Sequence, residues 1–252
     1  MVLTSFKSTV DADSPPFPIS FRPVLDNYEQ VLFSGLVGPV PLFVHAASDS
    51  IVIAIGSALI GLALALPAAY TLARHKTRWN GRLGTWILSQ KMAPAIFFLF
   101  PFYVMFYELS LLDNFLSIIL AHAALNLPLG VWMLESLTED IPRELDEQAK
   151  VNGCSDFGAF VRVVLPLLKS AIAATVILLF LLSWSELPFA LVLTGSRTET
   201  FPVYLSQFAP YHTVSWNLVG TSTILGIIPA IVLVFLVSKY LVRGLTLGAV
   251  KQ

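Results

Sequence analysis

Long stretches without charged residues dominate the chain, and they predict membrane-spanning helices. Residues 50–73 and 114–134 contain no Asp, Glu, Lys or Arg and are mostly aliphatic. A bilayer core of about 30 Å needs roughly 20 apolar residues per helix. Strands are a poor alternative, because the stretches lack the alternation of a barrel wall. The pattern predicts five spans, at about residues 50–73, 83–107, 114–134, 170–194 and 218–238; the second contains Lys91 and the fourth contains Glu186.

Composition agrees with a membrane protein. Of 252 residues, 56% are hydrophobic and only 12% are charged, with a net charge of −1. Soluble domains carry about 25% charged residues, so disorder is excluded and a soluble globule is disfavoured. A net charge near zero gives no electrostatic case for binding nucleic acid. The single cysteine, Cys154, excludes a disulfide within the chain and a multi-cysteine metal site.

The basic residues predict the orientation. The segments after the first, third and fifth spans carry eleven Lys and Arg, whereas the opposite side carries only Arg197 between spans. The eleven are Arg74, Lys76, Arg78, Arg82, Arg143, Lys150, Arg162, Lys169, Lys239, Arg243 and Lys251. The positive-inside rule places these segments in the cytoplasm. We therefore expect a multi-pass protein of the inner (plasma) membrane with a cytoplasmic C-terminus.

This orientation leaves residues 1–47 outside, ahead of a membrane domain at residues 48–252. The segment is rich in Pro, Asp and Ser, and it begins with neither a signal peptide nor a span. We expect an irregular external segment, and we expect a preceding span to carry it across the membrane. A genuine external tail is the alternative.

The loop between spans three and four, residues 136–169, is long and patterned. Pro142 and the following acids suit the first turn of a helix. Gly153 suits a left-handed residue that ends it, and Ser155 suits the N-cap of a second helix. Pro166 predicts a bend before the fourth span. The second helix has an apolar stripe of Phe157, Phe160, Val161, Val164 and Leu165.

Two short helices joined at a glycine favour a docking element. The apolar stripe suits a groove on another protein. An amphipathic helix lying on lipid headgroups is the alternative, and the pattern alone leaves both open.

The same residues resemble the "EAA" loop of ABC-importer permeases. The stretch reads Glu147-Gln148-Ala149, three residues, Gly153, nine residues, then Val163-Val164-Leu165-Pro166. The family pattern is Glu-Ala-Ala, three residues, Gly, nine residues, Ile-x-Leu-Pro. Gln148 and Val163 are mild departures from it. Further likeness in residues 141–145, 183–187 and 242–251 is closest to the carbohydrate subgroup, specifically the maltose-type second permease subunit. The resemblance covers about Thr4 to Gln252.

The resemblance implies an all-α polytopic membrane protein with a cytoplasmic two-helix coupling loop. It implies six spans where this chain shows five. Its partners would be a second homologous permease, a cytoplasmic ATPase dimer and an extracellular or periplasmic solute-binding protein. The residues that would couple to the ATPase are Glu147, Ala149, Gly153, Phe157, Leu165 and Pro166.

The chain itself is not expected to be an enzyme. It contains no P-loop and no Gly-x-Gly-x-x-Gly sequence. We therefore expect no cofactor on this chain, with ATP and Mg bound by the partner ATPase. The expected function is translocation of a sugar or related polar solute by alternating access. The alternatives are an ion-coupled secondary transporter, an intramembrane enzyme or an incomplete subunit that serves only assembly.

Three span residues are candidates for the solute pathway. Asn126 is a polar group beside Pro128, Trp184 could stack on a sugar, and Glu186 is a charge within a span. Each has a structural alternative. Asn126 and Trp184 suit packing, and Glu186 suits an anchor near the external end. Lys91 is expected to extend toward the cytoplasmic interface.

Overall fold

The computed structural model describes residues 1–14, 19–37, 40–75, 80–210 and 214–248. Nothing is described of the side chains at residues 36–37, 80–81 and 237–248. Three of the cations that predict the orientation, Lys76, Arg78 and Lys251, lie outside the described residues. Four prolines of the N-terminal segment, Pro15, Pro16, Pro18 and Pro39, lie outside them as well.

The described chain is mostly helical. The α-helices are Val2–Ser5, Thr9–Asp13, Asp26–Phe33, Leu42–Arg74, Asn80–Ser89, Ile96–Glu108, Phe115–Glu139, Glu144–Val151, Asp156–Ala159, Leu165–Leu167, Lys169–Trp184, Pro188–Leu193, Phe201–Ser206 and Trp216–Gly248. A 3₁₀ turn spans Gln90–Met92, and a π-helical turn spans Phe160–Val164. Strands Leu36–Val37 and Val40–Pro41 pair antiparallel, with Leu36 opposite Pro41 and Val37 opposite Val40.

Three helices within the described residues are long and apolar enough to cross a membrane: Leu42–Arg74, Phe115–Glu139 and Trp216–Leu236. Two further candidates are bent pairs. The segments Arg82–Met92 and Ile96–Glu108 meet at 89°, and Asp156–Leu167 meets Lys169–Trp184 at 78°. The described chain therefore has three to five candidate spans, depending on whether each bent pair counts as one.

Several helix ends differ from the predicted span boundaries. The first long helix begins at Leu42, and His45 and Asp49 lie one turn apart in its polar first part, 3.5 Å from each other. The third helix continues to Glu139, so the loop begins at Asp140 rather than residue 136. The predicted fourth span at residues 170–194 is divided, since the helix ends at Trp184 and another begins at Pro188.

The N-terminal segment is also more regular than predicted. Residues 1–47 contain three short helices and the two-stranded hairpin. The reason is a buried polar network that ties them to the Trp216–Gly248 helix. Asn27 donates to the carbonyls of Ser5 and Lys7 at 2.8 Å, and Asn217 donates to the Asn27 Oδ1 at 2.8 Å. Asn217 and Asn27 are 190 residues apart in sequence, and Asn27 is 22 residues from Ser5 and 20 from Lys7, so local composition does not reveal these contacts.

The structure divides into two compact units. One comprises Met1–Ile53, Tyr103–Ile118 and Trp184–Val232, and the other comprises Ala54–Phe102, Ile119–Ser183 and Leu233–Gln252. The second unit holds an apolar core. Its buried residues are Ala65, Ala69, Tyr70, Val131, Leu134, Phe160, Val164, Leu168 and Ala171.

In the first unit, Asp113 joins two loops. Its carboxylate accepts hydrogen bonds from the backbone N–H groups of Gly195, Arg197 and Thr198 at 2.9–3.2 Å, and from the Thr198 hydroxyl at 2.8 Å. Partial burial alone would raise the pKa of Asp113, but these hydrogen bonds outweigh it and hold the pKa below its ordinary value. A depressed pKa means that the ionised carboxylate stabilises the fold above the unfolded pKa. This contribution is lost as pH falls through the folded pKa, so it is complete at neutral pH.

We predict that Asp113→Asn loosens the loop at residues 194–199 at neutral pH, because an amide offers one acceptor oxygen where the carboxylate offers two. The purified protein in detergent should be cleaved after the exposed Arg197 by trypsin several-fold faster than wild type. Asp26→Asn, which alters an exposed acid of the same unit, is the control. Equal cleavage rates in all three proteins would contradict the role given to Asp113.

Candidate functional site

The candidate site is a pair of short helices, residues 144–167, that we call the helical corner. Its first helix, Glu144–Val151, has three acids in its first turn: Glu144, Asp146 and Glu147. Negative side chains there complement the positive end of the helix dipole. The helix was predicted to begin near Pro142, and it begins two residues later.

Gly153 closes the first helix as predicted. Its φ of +87° is in the region that glycine adopts without a steric cost. The Gly153 N–H donates to the Lys150 carbonyl at 2.9 Å, and the Cys154 N–H donates to the Ala149 carbonyl at 3.0 Å. This pair of bonds is the Schellman motif. A Cβ at position 153 would meet nothing within 4 Å, so this side of the corner is open in the chain.

The second helix starts at its predicted cap. The Ser155 hydroxyl accepts the Gly158 N–H at 3.1 Å. Across the corner, Lys150 and Asp156 form an ion pair whose side chains are largely exposed. This hydrogen-bonded pair raises the pKa of Lys150 and lowers that of Asp156. Exposed pairs of this kind contribute little to stability.

The apolar stripe divides into an inner and an outer part. Phe160 and Val164 are buried in the core of the second unit, and Leu165 packs against that core. The Phe160 ring lies 4.8 Å from the ring of Tyr70. Phe157, by contrast, is 74% exposed. The ring of Phe157 lies 6.4 Å from the ring of Phe160, and a π-helical turn follows at Phe160–Val164.

The bend after Pro166 is present. The chain turns by 78° between Leu167 and Lys169. Pro166 itself is exposed, whereas Ala149 is a buried residue of the first helix of the corner.

An ion pair that the sequence did not reveal fixes the corner to the end of the Leu42–Arg74 helix. The Arg74 Nε lies 2.5 Å from a carboxylate oxygen of Asp146, and both side chains are only 7% exposed. Arg74 also donates to the Ile141 carbonyl at 3.0 Å. In return, Arg143 donates to the carbonyls of Ala73 and Arg74 at 2.6 and 3.3 Å. These contacts satisfy the last carbonyls of the long helix and neutralise a buried charge. We call them the arginine clamp.

Asp146 is the buried acid of this first turn, whereas the side chain of its neighbour Glu147 is exposed. Since both acids belong to one first turn, periodicity alone does not distinguish them. The partner Arg74 is far away in sequence, and only the fold brings it close.

Two of the three predicted pathway residues, Trp184 and Glu186, belong to the first unit, and Asn126 belongs to the second. Trp184 is buried and stacks on Phe201, with ring centroids 5.7 Å apart. Glu186 caps the Pro188–Leu193 helix by accepting the backbone N–H groups of Phe189 at 3.1 Å and Ala190 at 3.3 Å. These contacts agree with the structural alternatives stated for both residues.

Asn126 is in a different setting. It is 6% exposed, and its Oδ1 accepts a hydrogen bond from the Lys91 ammonium at 2.9 Å. Lys91 also donates to the Leu125 carbonyl at 3.2 Å. The expectation that Lys91 extends to the interface is wrong, because these oxygens hold its ammonium against the Phe115–Glu139 helix.

Residues 50–247 match the family described as the inner membrane component of binding-protein-dependent transport systems. The chain belongs to that family. The match includes the helical corner and all the candidate spans. Members are transport permeases of the inner membrane rather than enzymes, which places this chain among multi-pass inner-membrane proteins.

Relatives of this permease align with the whole of this chain over most of their own length. A probable ABC transporter permease of Sinorhizobium fredii is 34% identical over 251 residues, covering 100% of this chain and 88% of the relative. The trehalose/maltose transport system permease MalG of Thermococcus litoralis is 28% identical, covering 100% and 89%. The sulfoquinovosyl glycerol transport system permease SmoH of Agrobacterium fabrum is 29% identical, covering 100% and 87%.

A solved structure shares the permease fold. It is the crystal structure of a bacterial ABC transporter involved in the import of the acidic polysaccharide alginate. One of its chains superposes with a TM-score of 0.71 at 24% sequence identity, covering 94% of this chain and 87% of that chain.

We predict that Asp146→Ala destabilises the purified permease by about 3–5 kcal/mol, because it leaves Arg74 buried without its counter-charge. Arg74→Ala should do the same, and the double variant should lose about 0.5–3 kcal/mol less than the sum of the two. Unfolding in detergent measures these changes. Glu147→Ala alters the exposed neighbour and should change stability by no more than about 0.5 kcal/mol. Equal effects at positions 146 and 147 would refute the clamp.

Proposed function

We propose that this permease is the membrane-spanning subunit of an ATP-binding-cassette importer that translocates a sugar or a related polar solute. The observation that carries the proposal is the family match across residues 50–247. The named sugar permeases among its relatives support the solute class. In this proposal the chain has five spans: the three long helices, the bent pair Arg82–Met92 with Ile96–Glu108, and the Lys169–Trp184 helix, while Asp156–Leu167 belongs to the cytoplasmic corner.

ATP hydrolysis would occur on a separate ATPase dimer that binds ATP and Mg, and this chain would bind no cofactor. The remaining partners would be a second homologous permease and an external solute-binding protein. The family description, which names a binding-protein-dependent system, supports that set. The eleven cations on one side of the membrane support a cytoplasmic corner and a cytoplasmic C-terminus.

The helical corner would be the contact with the ATPase. Two apolar side chains point away from the rest of the chain, Phe157 at 74% and Val151 at 88% exposure. The open space beside Gly153 lies between the same two helices. An apolar projection of this kind suits a cleft on a partner protein.

The corner is built to move with the spans rather than independently. Phe160 and Val164 anchor its second helix in the core, and the arginine clamp anchors its first helix to the end of Leu42–Arg74. Closure of the ATPases would therefore turn the attached helices as one body. This is the alternating access of rigid-body rocking.

Substitution of two phenylalanines of the corner, Phe157 and Phe160, tests this docking. We predict that Phe157→Ala lowers co-purification of the ATPase at least about tenfold, which corresponds to loss of a buried aromatic anchor. It should leave the unfolding temperature of the permease unchanged, because the ring is exposed in the chain.

Phe160→Ala is the matched control. It removes the same side chain from the buried core and should destabilise the permease by about 3–5 kcal/mol. The docking proposal fails if Phe157→Ala leaves ATPase association intact while the protein remains folded.

A further inference from the structure

The Lys91–Asn126 contact lies at the middle of a candidate span. Asn126 is the eleventh residue beyond Phe115 in a helix of 25 residues. At 1.5 Å per residue, it is roughly 17 Å from the start of the helix, which is about half the thickness of a bilayer core. A lysine ammonium held at that depth is costly against lipid and is expected to face protein or a water-filled path.

A bent helix pair meets the Phe115–Glu139 helix at this point. The chain bends by 89° between Met92 and Ile96, next to Lys91. The Phe115–Glu139 helix is continuous, but Pro128 within it has no N–H to bond the Ala124 carbonyl. Discontinuous helices at the membrane midplane are the usual material of solute sites in transporters, because their exposed backbone groups and side chains bind polar solutes.

A cavity of about 230 Å³ lies beside the bend and Pro128. It is lined by Gln90, Phe98, Phe102, Ala124, Leu125 and Pro128. The phenylalanines offer apolar faces and Gln90 offers an amide, while the ammonium of Lys91 is held on the adjoining turn by Leu125 and Asn126. An apolar wall with a few placed polar groups is the composition of a small-molecule site.

We propose that this cavity contacts the transported solute, that Lys91 selects solutes bearing a negative charge, such as a carboxylate, sulfonate or phosphate on a sugar, and that Asn126 positions the ammonium. The proposal rests on the importer function given above and deepens it by naming the class of solute. Asn126 is thereby a positioning residue, and Lys91 is the group that meets the solute.

The test places a thiol in the cavity and uses charged reagents as probes. Ala124→Cys is made in a Cys154→Ser background, which removes the natural thiol and leaves Lys91 and Asn126 intact. The whole importer complex, in membrane vesicles, is treated with an anionic sulfonatoethyl or a cationic trimethylammonium-ethyl methanethiosulfonate. The thiol at position 124 should react with both water-soluble reagents.

Lys91 should favour the anionic reagent. Replacing it by Gln should lower the anionic-to-cationic rate ratio by at least about fivefold, as expected for the loss of one nearby charge. Lys91→Arg, which retains the charge, should preserve the ratio. Asn126→Ala should lower the ratio by a smaller factor, because it releases the ammonium without removing it. A ratio unchanged by Lys91→Gln overturns the selectivity.

Leu59→Cys in the same background is the matched control, since Leu59 is exposed near the middle of the apolar Leu42–Arg74 helix. Its thiol should react only with a membrane-permeant maleimide. If the thiol at position 124 behaves like the one at position 59, the cavity is not on an aqueous path and the inference falls. ATPase co-purification is measured on the same samples. If the inference fails while the ATPase still co-purifies, the importer function stands. If the ATPase does not co-purify, that function is refuted.

Discussion

The buried ion pair between Arg74 and Asp146 is the contact on which the functional geometry depends. A charge at 7% exposure is tolerated only when it is paired and hydrogen-bonded. Arg74 therefore fixes the first helix of the corner at one place on the end of a long helix, and Arg143 returns two hydrogen bonds to the same end. Because the pair is expensive to break, the corner and the long helix form one mechanical element.

The corner shows how far local sequence rules extend. The positive φ of Gly153, the cap at Ser155 and the bend after Pro166 are confirmed, since each depends on a residue's own conformational or capping preference. The clamp depends on a partner that is distant in sequence, and no periodicity reveals it. The apolar stripe also contains a π-helical turn at Phe160–Val164, which a regular helical wheel does not predict.

In the rest of the chain, too, local sequence predicts some features and contacts between distant residues decide others. Apolar length and composition predict where the candidate spans lie, because the bilayer sets their length. Their ends depend on side-chain contacts. Glu186 caps the Pro188–Leu193 helix, and His45 lies beside Asp49 in the part of another helix that begins earlier than predicted. Lys91 was expected to reach the interface, yet the Leu125 carbonyl and the Asn126 side chain accept hydrogen bonds from its ammonium.

Two polar contacts of the second unit involve a helix end or a bend. At one, the arginine clamp attaches the helical corner to an apolar helix, and at the other Lys91, next to a bend, donates to the Phe115–Glu139 helix. The arginine clamp uses carbonyls that the end of the Leu42–Arg74 helix leaves available. The first suits the transmission of force from a partner, and the second suits recognition of a polar solute.

Photo-crosslinking from position 157 tests the central claim most directly. A benzoyl-phenylalanine replacing Phe157 reacts with whatever lies against that exposed side chain in the assembled complex within the membrane. The account predicts a covalent product with the ATPase subunit, and none when the same residue replaces the buried Phe160. Products with lipid alone, or equal products from both positions, would contradict a corner that docks on the ATPase.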